Sequence, residues 1–391
     1  VHLPRKDRPV SPSEAEPPHL DPDRTTRRRV LGAMGAGVGL AVGGPAVAGA
    51  AVGRDRRDGA DRGRGAPRGR GVADRRDDAT ANRFGRLFPD LPPFAEEGPG
   101  LLDALSEVGR PGGIMDAGDP LEVGPVRLIT EPELSPSNPD NPTAAAGTTF
   151  VGQFLDHDIT RDAGSPLGRR ASVERSTNLR TPRFDLDSVY GGGPEGSPGL
   201  YEPTDPVLLR VESGGLFEDV PRMADQNAII ADPRNDENLI LSGLQAALLL
   251  FHNAVVGRVR ATGLNDSDAF EEARRLVRWH WQWLIVHEFL PTFVGQPMVD
   301  DIVTSGPRFF ATDPPRIPVE FQAAAYRFGH SVVRPSYRAN LAGDGGEPFF
   351  AFIFDADAAG RSDPDDLTGG VRAPRRFVGW QTFFDFEDGE V

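Results

Sequence analysis

Apolar residues recur every three or four positions over residues 148–159, 236–260, 268–290 and 319–333, the period of a helix with one buried face. In the second stretch Leu241, Leu244, Leu248, Phe251 and Val255 fall on one stripe. In the third, Ala273, Val277, Trp281, Leu284 and Glu288 keep the same spacing, and Pro291 is expected to end the helix. Alternation with a period of two is short and scattered, as at Val207–Val211. Residues 82–147 are rich in Pro and Gly with little periodicity, and no internal repeat is visible. The pattern predicts a mainly α-helical domain with long irregular connections.

Upstream of residue 82 the pattern changes twice. Residues 1–24 are Pro-rich and charged; then Thr26-Arg27-Arg28-Arg29 leads into a Gly/Ala-rich apolar run that contains Ala46-Val47-Ala48. A twin-arginine pair, a weakly hydrophobic core and a small-residue cleavage site read as a twin-arginine (Tat) export signal over residues 1–50. A membrane anchor of similar length is disfavoured by the Gly content. Residues 51–81 are Arg, Asp and Gly with almost no apolar side chains, which predicts a flexible linker. The folded domain is assigned to residues 82–391.

Composition narrows the chemistry. The formal net charge of −15 makes a phosphate backbone an unfavourable partner, so nucleic acid is excluded. No protein partner can be read from the sequence. The chain has no Cys, which removes disulfides, thiolate-bound zinc, iron–sulfur clusters and thiolate-ligated haem.

Four segments carry candidate chemistry, and each has a plain structural reading beside it. In Gly152-Gln153-Phe154-Leu155-Asp156-His157-Asp158, Gln153 and His157 share a helical face, although one His alone reads as structural. Thr181, Asp185 and Asp187 offer oxygen ligands suited to a hard cation such as Ca²⁺, or form an ordinary Asp-rich turn. Asp232-Pro233-Arg234-Asn235-Asp236-Glu237-Asn238 reads as a helix start with Asn235 or Asp236 as its cap. Ala325-Tyr326-Arg327-Phe328-Gly329-His330 places one His on an otherwise apolar helix. Elsewhere His252, His280 and His287 read as structural, Gly191-Gly192-Gly193 lacks the Lys of a phosphate loop, and Asn265-Asp266-Ser267 is a glycosylation sequon in spelling only.

Taken together and in this order, the four segments resemble the animal-type haem peroxidases of the peroxidase–cyclooxygenase superfamily, and look most like bacterial members. The resemblance covers roughly residues 82–391. It implies haem b and calcium as cofactors, with hydrogen peroxide and small electron donors as substrates. By it, His157 corresponds to the distal base, Gln153 to the distal Gln, Arg234 to the distal Arg and His330 to the proximal iron ligand. Arg327 corresponds to the Arg near a haem propionate. Asp156 and Glu237 correspond to the carboxylates that can form ester links to haem. Asp158, Thr181, the Arg183 carbonyl, Asp185 and Asp187 correspond to the calcium ligands. The roles are chemically coherent: a neutral imidazole accepts the peroxide proton, and a fixed guanidinium favours charge separation across the O–O bond.

Three departures refine the expectation. Asn238 stands where some members carry a Met that bonds to haem, so two ester links are the most expected. Arg327 stands where the oxygenase branch carries its radical Tyr, with Tyr326 one residue earlier, which favours peroxidase over fatty-acid dioxygenase chemistry. Family members tie the proximal His to an Asn well downstream; Val391 is only 61 residues past His330, and Asn340 is too close to serve. The domain is therefore expected to be C-terminally incomplete. The sequence predicts a haem peroxidase, with a dioxygenase or a non-catalytic exported haem- or calcium-binding protein as alternatives.

Overall fold

The computed structural model describes residues 83–137, 141–165, 172–173, 176–213, 217–354, 366–370 and 376–386. The predicted export signal (1–50) and linker (51–81) lie outside the described residues. Five helices of ten residues or more are present among the described residues: α1 (Pro99–Gly109), α2 (Gly147–Ile159), α3 (Leu239–Arg260), α4 (Asp266–Leu284) and α5 (Gln296–Ser305). Strands are short and pair as three antiparallel hairpins: β1 (Tyr201–Glu202) with β2 (Asp205–Leu209), β3 (Glu212–Ser213) with β4 (Glu218–Asp219), and β5 (Ser336–Asn340) with β6 (Phe349–Phe352). The chain is mainly α-helical, as expected. The strand expected at Val207–Val211 forms two residues earlier, with Val207 and Leu209 turned inward.

The middle of the fold is α3. Its apolar composition would suit a membrane span, yet it is buried on most sides by protein. Of the stripe predicted for α4, Ala273, Val277, Trp281 and Leu284 are buried, whereas Glu288 falls beyond α4 in a π turn and is half-buried; α4 packs along α3 across the short loop 261–265. Phe154 of α2 meets Trp281 edge-on at 5.8 Å. Phe150 meets Tyr337 of β5 at 5.1 Å and Phe383 at 5.9 Å. Each such side chain contributes about 1.5–3 kcal/mol by leaving water, so these contacts fix how α2 is rotated.

The caps differ from expectation. Asp232, not Asn235, caps the 3₁₀ turn Pro233–Asp236, accepting from Arg234 N at 3.1 Å. Asn238 caps α3, accepting from Leu241 N at 3.0 Å. Asn235 and Asp236 are thus released for other partners.

Two helix boundaries are also corrected. Pro291 does not end α4: the chain passes through a π turn at Ile285–Phe289 into a last helical piece, Leu290–Val294, which stops at Gly295 with φ 81°. The π turn shifts the hydrogen-bond ladder by one residue. Pro291 therefore falls in the first turn of the new piece, where its missing N–H is not needed. Residues 319–333 are not one helix but an α turn at Val319–Ala323 followed by a 3₁₀ stretch at Ala325–Val332. No residue of either piece is buried. The apolar face of this stretch is only partly covered, with Phe321, Tyr326 and Val333 packed against the core but none fully buried, so the packing that would hold so short a helix in α form is weak.

Candidate active site

The apolar side of α2 is locked in the core, which aims its polar residues at fixed neighbours. Gln153 Nε2 donates to Glu237 Oε1, and Gln153 Oε1 accepts from Asn238 Nδ2 at 3.1 Å. His157 lies one turn later and is buried. Its Nδ1 stands 2.9 Å from Asn235 Oδ1, and its Nε2 stands 3.5 Å from Glu237 Oε1. Asn235 in turn donates from Nδ2 to Gln245 Oε1 at 2.9 Å. Gln153, His157 and Glu237 therefore converge, as the resemblance implies. Asn235 and Gln245 join them without having been singled out as site residues.

Arg234 is held beside this group. Its Nε and Nη2 donate to Asp232 at 3.0 and 2.8 Å, and Nη2 also donates to the carbonyls of His157 and Thr160 at 3.2 and 2.7 Å. Asp232 is fully buried and accepts from Arg180 as well, at 2.9 and 2.6 Å. Burial alone would raise the Asp232 carboxyl. The hydrogen bonds and charges of Arg234 and Arg180 overcome that and hold it well below the usual carboxylate range.

Asp156 accepts from Thr160 Oγ1 at 2.8 Å and lies 3.7 Å from Arg327 Nη1. The 3₁₀ stretch that carries Arg327 and His330 rests against α2 through Tyr326 Oη, which donates to the Gly152 carbonyl at 2.8 Å, and through Thr149 Oγ1, which donates to the Val332 carbonyl at 3.2 Å. Burial pushes the Tyr326 phenol upward. His330 is exposed and shares no hydrogen bond with the Gln153–His157–Glu237 group. Its Nδ1 bonds locally to the Arg327 carbonyl at 3.1 Å, which leaves Nε2 uncommitted.

On the other flank of α2, Asp158, Asp185 and Asp187 bring carboxylate oxygens within 4.8 Å of one another. Leu186, in the left-handed conformation at φ 58°, turns the chain so that the acids on both sides face Asp158. Asp158 accepts from Leu186 N at 3.2 Å, Ser188 Oγ at 3.1 Å and Trp281 Nε1 at 3.1 Å. Burial, then the charges of Asp187 and Asp185, push its carboxyl up to about 8. Burial also pushes Asp187 up to about 7, against the pull of Arg180. Thr181 joins the cluster, donating from N to Asp187 at 3.1 Å and from Oγ1 to Asp185 at 2.8 Å. Arg183 is exposed in the same loop.

The donor sets fit the two groups that the resemblance implies. Three crowded carboxylates, and a buried Asp187 Oδ1 that accepts no hydrogen bond, suit a hard cation. An imidazole tied at Nδ1 and free at Nε2 suits haem iron.

Residues 159–347 match the family model for animal haem peroxidases. Over these residues the chain is similar to an animal haem peroxidase domain. Arg234, Glu237 and His330 lie inside the matched residues; Gln153, Asp156, His157 and Asp158 lie just before them. The chain is 33% identical over 112 residues to a dual oxidase of Drosophila melanogaster, covering 27% of this chain and 7% of the oxidase. It is 27% identical over 228 residues to a Homo sapiens thyroid peroxidase, covering 51% of this chain and 24% of that protein. The chain thus spans less than a quarter of the length of these relatives. Among solved structures it is similar to peroxidase A from Dictyostelium discoideum (TM-score 0.41, 16% identity, covering 67% of this chain and 65% of that one). It is also similar to a fatty acid alpha-dioxygenase of Oryza sativa (TM-score 0.39, 15% identity, covering 62% and 46%).

Of the residues named from sequence, the structure gathers Gln153, His157, Arg234 and Glu237 into one group and Asp158, Thr181, Asp185 and Asp187 into another. Asp156 and Arg327 pair at its edge, and His330 stands apart on the exposed 3₁₀ stretch. Arg180, which reaches both Asp187 (3.7 Å) and Asp232, was not foreseen.

Proposed function

We propose that this chain is an exported haem peroxidase that reduces hydrogen peroxide and oxidises small organic donors or halides. The observation that carries the reading is the convergence of a buried imidazole (His157), an amide (Gln153) and a carboxylate (Glu237) beside an arginine anchored from behind by Asp232. Bound haem supplies the redox chemistry. His157 Nε2 takes the proton from peroxide and is positioned to return it to the leaving oxygen. Arg234 commits Nε and Nη2 to Asp232 and two carbonyls, which leaves Nη1 to meet the negative charge of the departing oxygen. Gln153 orients water or halide next to His157. His330 Nε2 would hold the iron and Arg327 a propionate, and Asp156 and Glu237 are the proposed carboxylates for ester links. Asp158, Thr181, the Arg183 carbonyl, Asp185 and Asp187 are the proposed calcium ligands, and a cation there would stiffen the end of α2 next to His157.

The test is an absorption titration of the full chain with haem, then one equivalent of peroxide, then guaiacol. A Soret band that shifts on peroxide and returns with guaiacol supports the reading. His157→Gln should lower turnover by roughly 10²–10⁴-fold with haem uptake intact; unchanged turnover would overturn it. Export through residues 1–50 is checked by whether Arg27→Lys together with Arg28→Lys keeps the protein in the cytoplasm.

A further inference from the structure

His157, Asn235 and Gln245 form a buried chain of three side chains, at 4%, 0% and 1% exposure. The nitrogen end of the Asn235 amide is committed to Gln245 Oε1 at 2.9 Å, so its oxygen end faces the ring, 2.9 Å from His157 Nδ1. An amide oxygen only accepts, so Nδ1 carries the hydrogen, and a neutral ring then has a bare Nε2. The competing pull is weaker. Glu237 Oε1 is 3.5 Å from Nε2, beyond the usual N–H···O range, and already accepts from Gln153.

We infer that Asn235, itself oriented by Gln245, is a positioning residue that fixes His157 in its Nδ1–H tautomer and so presents Nε2 as the proton acceptor. This inference rests on the peroxidase reading and deepens it. The partner's being an amide also matters. A carboxylate behind a histidine stabilises the protonated ring; a neutral amide sets the tautomer without adding charge, which leaves the ring free to give the proton back.

The experiment uses the full chain labelled with ¹⁵N-histidine, at a pH where the ring is neutral. Long-range ¹H–¹⁵N correlations report which nitrogen of each imidazole is protonated, and His157→Gln assigns the His157 signals by their loss. The expected result is a protonated Nδ1 and a bare Nε2. Asn235→Ala and Gln245→Leu should move the ring toward a mixture of tautomers, while Asn235→Asp, which keeps the acceptor, should retain Nδ1–H. Unchanged His252 signals show that each variant is folded. In the haem-loaded chain, Asn235→Ala should lower guaiacol turnover roughly tenfold, as expected when a general base is only partly in its active form. Asn235→Asp should recover the tautomer but only part of the turnover, because the carboxylate stabilises the protonated ring. A wild-type ring protonated at Nε2, or a tautomer indifferent to Asn235→Ala, overturns the inference whatever the activity. The expected tautomers with no turnover in the wild type support the positioning role of Asn235 and overturn the peroxidase reading alone.

Discussion

Removing the cation from the proposed calcium site should make stability fall with rising pH. Three carboxylates with oxygens within 4.8 Å repel one another by about 3 kcal/mol per pair at an effective dielectric near 20. Burial and that repulsion push Asp158 up to about 8 and Asp187 up to about 7 from 3.8. The unfolded chain releases these protons near pH 3.8; the folded, cation-free chain keeps them until pH 7 to 8. Between those limits the folded state binds more protons, so its stability declines as pH rises. For Asp158 alone the full decline is on the order of 5 kcal/mol, which in a domain of this size is roughly 10 °C in melting temperature. A bound cation keeps the carboxylates ionised and cancels the trend. Thermal unfolding is followed at pH 5, 6.5 and 8 in calcium and in metal-free buffer. The gap between the two curves should open steadily toward pH 8. The double variant Asp158→Asn, Asp187→Asn should show neither gap nor trend. Equal melting temperatures with and without calcium at pH 8 would refute the argument, as would an unchanged pH slope in the double variant.

Asp232→Ala leaves Arg180 and Arg234 without their shared buried counter-ion, so the urea midpoint should drop by the equivalent of about 3–5 kcal/mol. In the haem-loaded form, reaction with peroxide should slow while the Soret band remains, because Arg234 loses its anchor. At Gly147 a methyl group would lie 2.3 Å from Phe384 Cζ, so Gly147→Ala should cost about 1–3 kcal/mol in a denaturant melt. Phe384→Ala in the same chain should make the glycine change nearly neutral; a full penalty in both backgrounds would show that the ring is not what the methyl meets.

Helical period is a local property, and what it encodes is what survived from sequence to structure. The stripes of α3 and α4 and the shared face of Gln153 and His157 depend on residues a few positions apart, and all are found. Where period and packing disagree, packing decides. The 319–333 stripe packs Phe321, Tyr326 and Val333 only partly against the core, and its second half becomes a 3₁₀ stretch that leaves His330 exposed. Proton placement is harder to read because it depends on meetings across the chain. His157 and its partner Asn235 are 78 residues apart, and Asn235 looked like a cap because its local surroundings suit one. Arg180 gave no local signal at all. Only the fold sets it between Asp187 of the acidic cluster and Asp232, the anchor of Arg234. The two groups that sequence treats as separate motifs are therefore one electrostatic unit. Asp158 adjoins His157 along α2, and Arg180 joins the acids to the arginine through a buried ion pair. A change of charge at the acidic cluster thus reaches the proposed peroxide site by both routes, which is why the calcium experiment and the Asp232 variant should perturb the same chemistry from opposite ends.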